Sequence, residues 1–410
     1  MAVSSMREMK DSELLWLGEY NETWDLVPLK HLVNITTGKK DVNQGHPDGE
    51  YPFFTCSMTP YRSSNYSFDS EALLVAGNGM VGFTQYYNGK FEAYQRTYVL
   101  SDFKEIHPLY LKHYITELLP KYLTDKSVGS VIDFIKLGDL KSFGIVRPSI
   151  TDQKKISSYL EQKVALIDNI LEKTKQSIEE YKKYKQSLIT ETVTKGLNPD
   201  VKMKDIGIEW IGEIPEQWKV LKLKCIFEIS KRISGELGHS VLSVTQNGLK
   251  IKDLTSNEGQ LSSDYSKYQY VYKTDFVMNH MDLLTGWVDL SPYDGVTSPD
   301  YRVFKMKDGL KYSKEYYLYI FQVCYLNQIF YGLGQGISNL GRWRLQTDKF
   351  INFSLPVPPI DEQKKIAKFL QNKLGEIEKF VKTKESLLKE LEAYKKSLIY
   401  EVVTGKKEII

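Results

Sequence analysis

The sequence predicts an α+β chain made by tandem duplication. Two mixed α/β domains are each followed by a long helix, and the two helices pair as an antiparallel coiled coil with pseudo-twofold symmetry. Three observations carry this prediction. Pro148 to Thr194 aligns without gaps with Pro358 to Thr404 at a constant offset of 210, and 18 of those 47 positions are identical. Both stretches show the same heptad pattern of apolar residues. The segments between them are rich in Tyr, Phe, Val, Gly, Ser and Asn, and they alternate short apolar runs with turn dipeptides.

A chain of 410 residues calls for two or three domains. With 41% hydrophobic and 26% charged residues, it can pack a core. It has no run of about 18 apolar residues, so no membrane-spanning helix is expected. Met1 to Tyr20 lacks an apolar signal core, so secretion is not expected. Cys56, Cys225 and Cys324 lie too far apart for a disulfide framework or a CxxC zinc site, and a reducing cytoplasm is the expected location.

Each half opens on a related motif. Trp16-Leu17-Gly18-Glu19 and Trp24 match Trp210-Ile211-Gly212-Glu213 and Trp218 at an offset of 194. Gly82-Phe83 matches Gly286-Trp287 at an offset of 204. The offset grows along the chain, so the second half is about 16 residues longer in its variable part. The expected plan is a first domain over 1–147, a helix over 148–197, a second domain over 198–357 and a helix over 358–410.

In the first domain, Ala72 to Ala76 and Thr97 to Leu100 read as strands and Leu109 to Leu119 as a helix. Tyr316 to Gln328 reads as a helix in the second. Asn78-Gly79, Asn88-Gly89, Asn247-Gly248 and Asp294-Gly295 read as turns. Pro148 and Pro359 mark the helix starts, with Thr151 or Asp152, and Asp361, as candidate caps. The seam of the first helix is Leu160, Val164, Ile167, Leu171, Ile178, Tyr181 and Leu188. That of the second is Leu370, Leu374, Ile377, Val381, Leu388, Leu391 and Leu398. Thr174 and Lys185 break the first seam, and Lys384 and Lys395 break the second at the same heptad positions, as polar residues that fix register do. The alternative is two amphipathic helices, each packed on its own domain. About 40 residues at 1.5 Å each make a rod of roughly 60 Å. Lys195-Gly196-Leu197-Asn198-Pro199 ends the first helix.

Catalytic motifs fail on context. Gly77-Asn78-Gly79-Met80-Val81-Gly82 spells GxGxxG, but the residues after it read as strand and turn rather than helix. No GxxxxGK[ST] loop occurs, and none of His31, His46, His107, His113, His239 and His280 forms HExxH. Val357-Pro358-Pro359-Ile360 is a helix start rather than an amino-methyltransferase motif. Asp102-Phe103-Lys104 lacks the upstream acid of a nuclease site.

Candidate nucleic-acid contacts are polar, basic or aromatic side chains beside the turns. In the first domain they are Lys39, Lys40, Arg62, Asn65, Asn78, Tyr86, Gln95, Arg96 and Lys126, with Tyr61 and Tyr87 as further rings. In the second they are Arg232, Gln246, Asn247, His280, Trp287, Arg302, Arg342 and Arg344. Arg forks to guanine, Asn and Gln to adenine, and aromatic rings stack or wedge. Taken singly, each of these residues reads first as a solvated loop side chain.

The whole pattern resembles the specificity (S) subunit of type I restriction–modification systems. The resemblance rests on the paired Trp-x-Gly-Glu-x-x-x-x-Trp openings, the Pro-x-x-x-(Asp/Glu)-Gln-x-x-Ile helix starts at Pro148 and Pro358, and the paired Ser-Leu-Ile helix ends. It implies a non-catalytic subunit whose two target recognition domains read an asymmetric, bipartite site on double-stranded DNA. It further implies that the helices space the domains and dock two methyltransferase (M) subunits, which restriction (R) subunits join. No cofactor is then expected in this chain; S-adenosylmethionine, ATP and Mg belong to the partner subunits. A non-catalytic coiled-coil scaffold without sequence-specific DNA binding is the alternative.

The net charge is only +3. It divides as −3 over 1–147, +2 over 148–197, +1 over 198–357 and +3 over 358–410. The domains therefore carry no excess charge to drive phosphate binding. The expectation is that this chain supplies base readout while its partners supply much of the affinity.

Overall fold

The computed structural model describes residues 8–126, 134–246, 248–253, 265–334 and 343–409. The chain divides into two units, Met1–Lys175 with Glu385–Ile410, and Gln176–Lys384.

The first unit runs β1 (Met9–Asp11), β2 (Glu19–Asn21), β3 (Asp25–Pro28), β4 (Asn34–Thr37), β5 (Tyr51–Phe54), β6 (Tyr61–Ser63), β7 (Phe68–Ala76), β8 (Thr84–Ala93), β9 (Thr97–Ser101), α1 (Pro108–Lys126), α2 (Leu137–Ser142), β10 (Gly144–Arg147) and the start of α3 (Ile150–Lys195). Its main sheet has the order β4-β9-β7-β8-β5-β6. All its pairings are antiparallel except β5 with β8. Ala72 to Ala76 are buried without alternation because β7 is central and covered on both faces.

The second unit repeats the plan with β11 (Met203–Asp205), β12 (Glu213–Pro215), β13 (Lys219–Lys222), α4 (Leu223–Ile226), β14 (Phe227–Ser230), β15 (Leu242–Thr245), β16 (Gly248–Ile251), β17 (Gln269–Val271), β18 (Phe276–Met278), β19 (Val288–Leu290), β20 (Gly295–Thr297), β21 (Arg302–Met306), α5 (Lys314–Leu326), α6 (Ile329–Gly332), α7 (Thr347–Ile351), β22 (Ser354–Val357) and α8 (Ile360–Val403). Its four-stranded sheet, β14-β21-β18-β19, repeats the β4-β9-β7-β8 order of the first unit. In each unit the strand before the long helix pairs antiparallel with an early strand, β10 with β3 and β22 with β13.

Helix α3 ends where the sequence places Gly196, whose φ of +82° suits glycine. Their caps differ from expectation. Ser149, not Thr151 or Asp152, caps α3, because its Oγ accepts from the Asp152 amide at 3.1 Å. Asp361 lies inside the first turn of α8, and the Pro359 carbonyl accepts from the Glu362 and Gln363 amides. A buried glutamine secures each helix start. Gln153 Nε2 donates to the Pro148 carbonyl at 2.8 Å, and its Oε1 accepts from the His107 amide at 2.7 Å. Gln363 repeats this with Pro358 at 2.8 Å and the Ser313 amide at 2.8 Å.

Within each unit α3 and α8 lie antiparallel. In the first, Lys395 Nζ binds Asp168 Oδ1 at 2.6 Å, and Leu398 shares a core with Leu160, Ile167 and Leu171. In the second, Lys185 Nζ binds Glu378 Oε1 at 2.6 Å, and Leu370, Leu374 and Ile377 share that unit's core, with Tyr181, Leu188 and Val381 against it. The pairs Asp168–Lys395 and Lys185–Glu378 are one interaction made twice, since the partners correspond at the offset of 210. The breaks at Lys185 and Lys395 are therefore cross-helix ties. Thr174 instead satisfies itself on the Ile170 carbonyl at 2.7 Å, and Lys384 Nζ lies 6.0 Å from the Tyr181 ring centroid. Val164, Leu388 and Leu391 are half-buried against the first core, and Ile178 is buried.

Three local expectations need correction. Asn88-Gly89 is no turn but lies within β8, where Glu71 pairs with Asn88 and Ser70 with Gly89. The helix expected over 109–119 extends to Lys126, and that expected over 316–328 runs from Lys314 to Leu326. A strand, β8, follows the GxGxxG segment, as its composition indicates.

Candidate nucleic-acid interface

The first unit gathers several candidates at one end of its main sheet. Lys40 bridges to Tyr94, and its carbonyl accepts from the Gln95 amide at 2.9 Å. The Arg96 carbonyl accepts from the Gly77 amide, next to Asn78, at 2.9 Å. Most side chains there are already engaged. Lys40 Nζ binds the fully buried Glu92 at 3.0 Å and Ser63 Oγ at 3.1 Å, so it neutralises a core acid. Arg62 holds the loop before β5 through the Gly49 and Glu50 carbonyls, both at 2.9 Å. Gln95 Nε2 donates to Asp41 at 3.1 Å. Lys39, Asn65 and Arg96 are exposed and Asn78 is half-buried.

Gln95 and Arg96 line a cavity of about 410 Å³ with Thr37, Gly77, Tyr98, Phe134 and Ile135. Two candidates lie elsewhere. Tyr86 donates from mid-strand to Glu71 at 2.8 Å, and Lys126 binds Asp139 at 2.9 Å over the Tyr122 ring. Tyr61 is exposed on the edge strand β6, and Tyr87 packs on Phe54 and Phe91.

The second unit brings His280, Arg302 and Arg344 together. Arg302 is only 4% exposed; its Nη2 donates to the Leu345 carbonyl at 3.0 Å and to Thr347 Oγ1 at 3.3 Å, and its guanidinium lies 4.5 Å from the Phe350 ring centroid. The Leu345 amide donates to the His280 carbonyl at 3.0 Å. Burial, with the Arg302 and Arg344 charges, pushes the His280 imidazole down to about 3. Burial, with Arg344 beside it, lowers Arg302 to about 10, against an opposing pull from Tyr325. Arg302 and His280 are thus interior groups rather than the solvated loop residues their turn positions suggest.

The remaining candidates are dispersed. Arg232 forms an ion pair with the buried Asp275 and lies over the Tyr272 ring at 4.3 Å. Gln246 donates to the Thr285 carbonyl at 3.4 Å, and Trp287 is half-buried against Tyr325. Arg344 is exposed, while Asn247 and Arg342 lie outside the described residues.

Sequence reasoning missed Tyr98, Phe134, Ile135 and Leu345. Carrying the helix offset of 210 upstream of Pro148 would have paired Ile135 with Leu345 and Phe134 with Arg344. Among the described residues no group of His, Cys, Asp and Glu could hold a metal ion, and no helix is long and apolar enough to cross a membrane.

Comparison with known proteins gives this architecture its family. The family model for the type I restriction modification DNA specificity domain matches residues 21–180 and 215–390. The EcoDI specificity subunit of Escherichia coli is 28% identical over 241 residues, which cover 54% of this chain and 53% of that protein. This match therefore spans about half the length of that relative. The MjaVIII specificity subunit of Methanocaldococcus jannaschii is 23% identical over 383 residues, 86% of each chain. Two solved structures share the fold. One comes from work on complex assembly and conformational transition of the type I R-M system, with a TM-score of 0.68, 12% identity and coverage of 93% of this chain and 97% of that one. The other is the HsdS subunit from Thermoanaerobacter tengcongensis, with a TM-score of 0.52, 13% identity and coverage of 97% and 100%. Two copies of one framework, matched twice by one family model over most of the chain, lead to a single conclusion: this chain belongs to the type I restriction modification DNA specificity domain family.

Proposed function

We propose that this chain is the sequence-recognition subunit of a type I restriction–modification complex. Each unit reads one half of a bipartite site on double-stranded DNA. The paired helices dock two methyltransferase subunits, and restriction subunits join them. The chain itself is not an enzyme; methyl transfer and cleavage belong to the partners, with their S-adenosylmethionine, ATP and Mg. Its place is the cytoplasm, where the DNA is.

One observation carries this reading. The two units repeat a framework down to single hydrogen bonds, yet the side chains on it differ, Gly77, Tyr98 and Phe134 in one against His280, Arg302 and Arg344 in the other. A shared scaffold with divergent polar surfaces is what two different half-sites require, so the target is asymmetric. The charge distribution adds that affinity comes largely from partners, because Lys40, Lys126 and Arg232 are held by the protein's own acids.

The test is methylome sequencing of cells that express the chain with its methyltransferase subunit, followed by DNA binding with and without that subunit. The expected result is one split, asymmetric methylated motif, with tight selective binding by the complex and weak binding by the isolated chain. Deleting one heptad from each helix should change the gap and leave the half-sites intact. Complexes that assemble normally but methylate without sequence preference would leave a scaffold as the better description.

A further inference from the structure

Each unit builds the same junction from different side chains. In the first, the Ile135 amide donates to the Gly77 carbonyl at 2.7 Å and the Tyr98 hydroxyl to the Ile135 carbonyl at 2.9 Å. In the second, the Leu345 amide donates to the His280 carbonyl at 3.0 Å and Arg302 Nη2 to the Leu345 carbonyl at 3.0 Å. Each unit thus clamps one residue between the turn after β7 or β18 and a donor at the start of β9 or β21. The residue just before the clamped one faces solvent in both, as Phe134, 57% exposed, and Arg344. Backbone hydrogen-bonded at the next residue presents these two side chains.

The chemistry at the two clamps differs, a neutral hydroxyl in one and a guanidinium in the other. In the second unit Arg302 is buried, yet among the described residues its Nη1 has no hydrogen-bond partner, and neither has His280 Nδ1. No acidic residue occurs between Glu315 and Asp348 in the sequence. Among the described residues, no carboxylate forms an ion pair with Arg302 or Arg344. The carboxylate of Asp282, on the same turn as His280, is bound to the Leu284 and Thr285 amides and the Thr285 hydroxyl. A buried guanidinium without an anion is costly to keep charged. Arg302 Nη1 and His280 Nδ1, unpartnered beside the exposed Arg344 guanidinium, suit an oxyanion, and a phosphodiester is the oxyanion every DNA site supplies. In the first unit Gly77, Tyr98 and Phe134 stand in the corresponding places, and an exposed cation, Arg96, lines the cavity beside them.

We propose that Arg344, backed by Arg302 and His280, seats one phosphate of the DNA backbone, an anchor that the clamp residues of the first unit, Gly77, Tyr98 and Phe134, do not repeat. The inference rests on the reading of the chain as a DNA-recognition subunit. It assigns this junction to positioning on the backbone rather than to base readout.

The test uses the full chain in complex with its methyltransferase subunits. Binding to duplexes with and without the methylated motif is measured over a range of KCl concentrations for wild type, Arg344→Gln, Arg344→Lys and Phe134→Gln. Arg344→Gln should lower the slope of log affinity against log salt by about one on both duplexes. Between 50 and 200 mM salt, that narrows the wild-type advantage about 3.5-fold. Arg344→Lys should restore the slope, and Phe134→Gln should leave it unchanged. An unchanged slope in Arg344→Gln, or a loss confined to the motif-bearing duplex, overturns the phosphate seat while leaving the DNA-recognition reading intact. A wild-type complex that binds neither duplex overturns that reading itself, and the anchor with it.

Discussion

Replacing Gln363 with leucine tests whether the glutamine clamp holds the long helix to its unit. The side chain is fully buried, and its two bonds tie the start of α8 to the N-cap of α5 through the Ser313 amide. Leucine fills similar space but leaves the Ser313 N–H and the Pro358 carbonyl without partners. Each lost partner costs about 1–3 kcal/mol, and the added apolar burial offsets about 1 kcal/mol. The expected loss is therefore about 1–5 kcal/mol, a large fraction of a domain's stability. Urea unfolding followed by hydrogen-exchange mass spectrometry reads both size and place. Amides of α5 and β22 should exchange faster, while those of α1 and β10 stay near wild type. Gln153→Leu should produce the opposite pattern. A change below about 0.5 kcal/mol, or equal acceleration in both units, would refute the clamp.

Gly196→Ala should cost about 1–2 kcal/mol, measured by thermal unfolding. Its φ is +82°, and a Cβ there would lie 2.9 Å from Glu362 Oε1 and 3.2 Å from Trp218. Burial lowers His280 to about 3 and His113 to about 4, the latter despite the nearby Glu161 carboxylate. Both bind protons more readily unfolded, so stability should fall as pH drops from about 6.5 toward those values, by up to about 1.4 kcal/mol per pH unit for each. His280→Asn should flatten the pH dependence of the urea midpoint, and a slope equal to wild type would count against the assignment. With a thiol reagent, the exposed Cys225 should react first. Cys324, whose burial pushes its thiol well up, should react only on unfolding.

The sequence made the long helices legible because their period is local and written twice. Leu160 and Leu370 follow from heptad spacing, and the shared polar breaks read as register-fixing positions, whereas the acids that Lys185 and Lys395 bind emerge only from the structure. The polar residues of the domains were less legible. Lys40 and Arg302 look like loop cations in sequence, but their partners, Glu92 and the Leu345 carbonyl, lie about 50 and 43 positions away. A side chain beside a turn reads the same whether it meets water or a distant carbonyl. Asn88-Gly89 misled for a related reason, since β7 is long enough to carry its partner strand straight through a dipeptide that elsewhere bends the chain.

The first unit is discontinuous along the chain, while the second occupies one stretch, Gln176–Lys384. The Tyr110 hydroxyl reaches the Val403 carbonyl at 3.0 Å, and Tyr400 the Leu17 carbonyl at 2.8 Å. On a ribosome, then, the later-made half can finish first. The N-terminal half must wait, with its side of Leu160 and Ile167 uncovered, until residues 385–410 emerge. Nascent chains halted before that point would present a finished module joined to an open one, a natural client for chaperones and proteases.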